Sequence, residues 1–384
     1  MSCAFFSSSL SLLSPRRFAR APLASVLLSC LTLAALPSRV EAEVSAMEPP
    51  PISDQKKLDV VWNVIDGSIR PGYAVFGDAA EETQQAMRDL CKLPAGENLE
   101  GARDAFSRLV NAWARVEFVQ FGPVTKNNRD KRILSFPGDH NTNLRQIRTI
   151  LQNEDADATT PQDLAGKSAA VQGLGALEYV LSGKDSDQLA GTSGAYRCSY
   201  GQAIADNLVA ISQAIEAGWA QDNGGIVEQM TDPQPDNATY RTADDALRAI
   251  VEIFIHGFQT IHDQRLQLTI DANGKPVARK AMLFGQAGET LTSLQADFSG
   301  LRDLFVAADL QSLLPEEKSY FVDSATAEFQ DADAALSKMA APLSQTLSDP
   351  DERQELTRLT AITATLENQF ADQVLPLLDP SASH

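Results

Sequence analysis

Two glutamates occupy positions where a helix normally carries apolar side chains. In the segment 168–181, Val171, Leu174, Glu178 and Leu181 share one stripe at steps of three, four and three. That segment is apolar on nearly every face, which predicts a helix buried on most sides. Over 100–121, the stripe Phe106, Val110, Trp113, Glu117 and Phe121 embeds a second acid in the same way. A carboxylate so placed must be hydrogen-bonded, ion-paired, protonated or bound to a metal, because leaving water is costly for a charge. Acids drawn from separate helices can build a metal site in a helical bundle, so Glu117 and Glu178 are candidate ligands. Each can equally take an arginine such as Arg115 or Arg132.

Other chemistry has less support. The chain holds four histidines, His140, His256, His262 and His384, and no H-E-x-x-H pattern. His256 and His262 lie six apart, on different faces of one expected helix. His262, Asp263 and Arg265 together read as a solvated face. Gly173 and Gly175 read as mid-helix glycines, each costing about 1 kcal/mol against alanine. They therefore mark a close backbone approach or room for a ligand, and no strand precedes them to make a phosphate loop. No G-x-S-x-G nucleophile elbow occurs.

The elements that must position these residues are helical throughout. Apolar spacing predicts helices over 59–90, 100–121, 160–182, 196–221, 242–268, 288–307, 316–340 and 350–374, with no convincing period-two alternation. Pro71-Gly72 should kink or split the first. Thr160, Thr242 and Asp349 are expected N-caps, and Asp271–Gly274 a turn. The fold class is all-α: an N-terminal bundle over 53–183, a connecting loop over 184–194 and a C-terminal bundle over 195–380. A small-ligand site is expected at the interface of the two packed bundles.

Ahead of them, Arg16, Arg17 and Arg20 precede an uncharged apolar run ending near Pro37. Residues 1–42 read as a secretory signal and 43–52 as a proline-rich linker. A lipid anchor through Cys30 is the alternative. The mature chain has no second long apolar segment and no expected transmembrane span. The full chain of 384 residues carries a net charge of −19, which excludes nucleic acid as a natural partner. Cys91 and Cys198 remain after processing, and an even count in an exported chain favours a disulfide between them.

Several blocks resemble the imelysin-like family. Residues 111–123, from Asn111 through Trp113 and Glu117 to Gly122-Pro123, look like its tryptophan-to-glycine-proline helix. Residues 132–137 resemble its next block. Residues 171–181 are similar to the helix bearing the family's G-x-H-x-x-E motif. Cys198-Ser-Tyr200, the helix running to Trp219, and residues 291–305 also fit. The resemblance implies two helical bundles with a site between them, a bacterial periplasmic location and a role tied to iron acquisition. It also implies peptidase-like ancestry, with the motif histidine and glutamate as suggested metal ligands. Here Gly173 and Glu178 match the motif, but its histidine position is Gly175.

That departure removes the motif's neutral nitrogen donor. The reading is therefore a non-catalytic binding or accessory protein in iron uptake, with no catalytic residue assigned. Its cleft is expected to gather Trp113, Arg115, Glu117, Arg132, Gly173, Gly175 and Glu178. The expected guest is a small iron-related ligand or a hard cation, iron or calcium, on oxygen ligands. Other envelope iron-uptake proteins are the expected partners. A metallopeptidase using His256 or His262, or a purely structural interaction module, is the alternative.

Overall fold

Helix boundaries here are set by caps and by crossings between helices. The computed structural model describes residues 52–136, 140–220, 224–270, 275–276, 282–339 and 342–378. The signal segment, Cys30, nearly all of the linker and the turn at Asp271–Gly274 lie outside them. Among the described residues no strand forms; one isolated bridge joins Ile270 and Pro276.

Helix α1 (Asp54–Val64) runs through a π-type turn, Ile65–Ile69, into α2 (Arg70–Lys92). Pro71 thus falls in the first turn of α2, directly after the π-type turn. α3 (Gly96–Ala114) leads to the short α4 (Arg129–Ile133) and then α5 (His140–Asn153). The stretch expected as one helix over 160–182 is in fact broken. α6 (Pro161–Leu164) is capped by Thr160, and α7 (Leu174–Ser182) starts afresh with Gly173 at its N-cap. Gly173 and Gly175 are therefore not mid-helix.

The long α8 (Ala195–Trp219) and short α9 (Ile226–Thr231) follow. α10 (Ala243–Ile261) opens on a capping box between Thr242 and Asp245 and ends in a π-type turn, His262–Leu266. α11 (Thr290–Ala308), α12 (Tyr320–Leu336), α13 (Leu343–Thr346) and α14 (Pro350–Gln369) complete the order, with Asp349 capping the last.

α2 lies against both α3 and α8, while α12, α14 and α10 form a second packed group. Its centre is phenylalanine-rich: Phe254 stacks on Phe370 with ring centres 4.2 Å apart, and Phe305 and Phe321 meet Phe370 edge-on. α1 packs on α10 and α11, and α3 on α11, so helices from early and late in the chain share buried surface. The expected loop over 184–194 forms two 3-10 turns, Ser186–Ala190 and Thr192–Gly194, with Leu189 buried.

α3 stops earlier than its apolar stripe predicts. The backbone turns at Val116 and Glu117, whose amides both return to the Trp113 carbonyl at 2.9 and 3.0 Å. The cause is tertiary: α11 crosses here, and a Cβ on Gly300 would overlap the Arg115 backbone. Glu117 therefore leaves from a turn rather than from a helix. Cys91, near the end of α2, is disulfide-bonded to Cys198 in the first turn of α8, with Cα atoms 5.6 Å apart. Closing a separation of 107 residues stabilises by about 4–5 kcal/mol on the chain-entropy account.

Candidate functional site

The segment from Gly173 to Glu178 shows why glycine occurs twice. A Cβ on Gly173 would overlap the carbonyl oxygens of Arg132 and Ile133, so α7 begins in direct contact with the end of α4. At Gly175 the reverse holds: nothing stands within 4 Å of the place a Cβ would take. Glu178 lies three residues further on, on the same side of α7, and only 6% of its surface is exposed. Its Oε1 accepts from two successive backbone amides, Gln286 N at 2.8 Å and Ala287 N at 3.1 Å. Adjacent peptide N–H groups aimed at one oxygen favour the charged carboxylate.

Gly173, Gly175 and Glu178 line one small cavity. Its other walls are residues 134–136, Asn143, Leu144 and Ile147 of α5, Ala169 and Ala170, and Met282, Leu283 and Phe284. Its volume is about 40 Å³, room for roughly three water molecules at about 10–15 Å³ each. That admits a small polar group or a few waters and excludes a peptide or an ion with its full hydration shell. Phe284 adopts φ 53°, a left-handed conformation rare for an aromatic residue, and packs edge-on against Phe106 at 6.0 Å.

Trp113, Arg115, Glu117 and Arg132, expected in the same cleft, do not line this cavity. Trp113 is buried against Phe76, with ring centres 5.2 Å apart. Arg115 pairs with Asp303 at the surface. Arg132 donates to Gln172 Oε1 at 2.9 Å and Asn207 Oδ1 at 2.7 Å, tying α4 to α8.

Glu117 belongs to a separate buried charge group. Arg265 Nη2 donates to Glu117 Oε1, and Arg265 Nε donates to Asp297 Oδ2 at 3.3 Å. The three side chains are 7% or less exposed. Arg265 is thus not on a solvated face, which corrects the sequence reading. Burial opposes its charge, but the two carboxylates together outweigh that and hold the guanidinium charged. Asp297 titrates well above the ordinary carboxylate range, because burial and the nearby Glu117 outweigh Arg265. Its Oδ1 has no hydrogen-bond partner among the described residues, and a proton carried by the Asp297 carboxyl suits that environment. Phe136 touches both places: the Arg265 guanidinium lies 5.6 Å from its ring centre, and the same residue lines the Glu178 cavity.

Sequence reasoning missed Arg265 and Asp297, though the signal was present. Phe254, Phe258, Ile261 and Arg265 form an apolar stripe on α10 and its π-type turn. Leu294, Asp297, Leu301 and Leu304 form one on α11. Neither His256, which is exposed, nor His262, whose Nδ1 is 2.7 Å from Asp263 Oδ1, lines the Glu178 cavity. Among the described residues, no group of three or more His, Cys, Asp or Glu could hold a metal ion.

The sequence profile of the imelysin family, peptidase M75, matches residues 69–369. The chain belongs to the imelysin family. Iron-regulated protein A of Synechococcus elongatus is 20% identical over 330 residues, covering 83% of this chain and 86% of its own. An imelysin-like protein from Psychrobacter arcticum has the same fold at a TM-score of 0.67 and 21% identity, covering 86% of this chain and 98% of its own. A Parabacteroides distasonis structure described as an iron-regulated protein A precursor also has a TM-score of 0.67. It is 14% identical, covering 84% of this chain and 97% of its own. No helix among the described residues is long and apolar enough to cross a membrane.

Proposed function

We propose that this imelysin-family chain is an exported, non-catalytic accessory protein of bacterial iron uptake, acting in the periplasm through the cavity beside Glu178. The observation that carries this reading is the pairing of a buried, amide-held carboxylate with open space at Gly175. The pair makes a preformed polar point in a small apolar pocket. The link to iron is supported by the name of the Synechococcus relative. Export is supported by the Cys91–Cys198 bridge, which is at home in an oxidising compartment. The expected arrangement of two bundles with a site at their seam remains part of this proposal.

Among the described residues Glu178 is the only acid lining the cavity, and Glu117 already holds Arg265. These residues do not fit a dehydrated iron or calcium ion, which needs six or more oxygen ligands. The guest we propose is therefore a small iron-related ligand that sends one polar group into the cavity, any cation and its other ligands staying at the mouth. Partner proteins would belong to the same envelope uptake system. No observation beyond the family's name favours the metallopeptidase alternative.

Calorimetric titration of the mature protein with a neutral ferric hydroxamate complex and with calcium, with Glu178→Gln as control, tests the cavity. The expected result is binding in the wild type that weakens at least tenfold in the variant. Equal affinity in both proteins, or heat from neither, overturns it.

A further inference from the structure

On the far side of α7, Tyr179 forms part of a second and larger cavity, about 370 Å³. Three cationic side chains line it: Arg148 from α5, Lys184 just after α7, and Arg197 in the first turn of α8. The guanidinium carbons of Arg148 and Arg197 stand 5.6 and 5.8 Å from the Tyr179 ring centre. Arg148 Nε donates to the Tyr179 hydroxyl at 3.2 Å. Glu154 and Asp185 also line the cavity, but among the described residues neither forms an ion pair with any of the three cations.

Arg197 is the informative residue. It is only 8% exposed, yet among the described residues every hydrogen bond it makes goes to a neutral carbonyl. Nη1 donates to Val180 O at 3.1 Å and Tyr179 O at 3.4 Å, and Nη2 to Lys184 O at 2.7 Å. Those bonds lock the guanidinium in place without balancing its charge, and Asp185 favours that charge only through space, without an ion pair. Buried charges are ordinarily paired, and this chain has 51 acids from which to supply a partner. Instead a second guanidinium and an ammonium line the same cavity, both on exposed side chains able to close on a guest.

We infer that this cavity binds a small polyanion, its carboxylate or phosphate groups held by Arg148 and Lys184 against the fixed Arg197. Guanidinium groups suit such oxyanions because their N–H donors form a planar fork. The site shares no lining residue with the Glu178 cavity and does not depend on the function proposed for it.

The test is calorimetric titration of the mature chain with citrate and, separately, with inorganic phosphate, at low and high salt. Arg148→Ala/Lys184→Ala is the site variant, because both residues are exposed and the fold keeps Arg197. Glu178→Gln is the control for the other cavity. The expected result is citrate affinity that falls at least tenfold in the double variant, falls with added salt, and is unchanged in Glu178→Gln. Phosphate bound with the same dependence assigns the site to oxyanions in general; citrate alone assigns it to carboxylates. The inference is overturned if neither anion binds the wild type at millimolar concentration. It is equally overturned if the double variant binds as tightly, or if Glu178→Gln abolishes the binding.

Discussion

Arg265 reaches Asp297 across two helical segments, its Nε 3.3 Å from Asp297 Oδ2, while the same guanidinium holds Glu117. One cation thus serves two acidic side chains in a dry environment. That relationship makes Arg265 the most consequential charged side chain in the core.

Replacing Arg265 with Met should destabilise the chain by about 3–5 kcal/mol, because it leaves buried acid with no counter-charge. Urea denaturation of the variant and wild type at neutral pH measures this. A loss under about 1 kcal/mol would show that the trio contributes little.

Asp297 supplies a pH signature. Its folded pKa is raised above the ordinary 3.8 by burial and by Glu117. The stability it contributes is fully present below about 3.8 and is lost as pH rises through the folded value. Asp297→Asn imitates the protonated form and removes this dependence. The variant's stability relative to wild type should therefore climb as pH rises above about 4. Parallel stability curves over that range would count against a proton on Asp297.

The two glycines of α7 should behave oppositely. Gly173→Ala drives a methyl into the Arg132 and Ile133 carbonyls and should cost about 2 kcal/mol or more. Gly175→His has open space ahead of it, should fold near wild-type stability, and places an imidazole one turn before Glu178. Thermal melts separate the two. Zinc titration should show affinity gained in Gly175→His alone; its absence would mean the imidazole does not reach the carboxylate.

Removing the disulfide with Cys91→Ser/Cys198→Ser should lower stability by about 2–5 kcal/mol. Denaturation with and without reductant checks this, since reductant should weaken the wild type and leave the variant unchanged.

The burial of Glu117 and Glu178 was legible because each interrupts an apolar stripe, and a stripe survives whatever the fold does around it. Arg265 and Asp297 were legible by that rule but lay beside polar neighbours that masked it. The groups that hold Glu178 were not legible. Backbone amides carry no side-chain signature, and Gln286 and Ala287 arrive from a segment 108–109 residues away. The end of α3 was hidden for a related reason: it depends on α11 crossing at Gly300, a tertiary event that local spacing does not encode. Gly173 and Gly175 look alike in sequence, and only their surroundings separate a required glycine from a permissive one.

At the foot of α10 the Gln267 amide returns to the His262 carbonyl, 3.0 Å away and five residues back. The wider loop absorbs one residue more than a regular coil, and each residue turns an α-helix by about 100°. With a single residue deleted from His262–Leu266, α10 would continue at uniform pitch and swing the guanidinium sideways out of its socket. The insertion therefore acts as a spacer that sets the aim of one side chain.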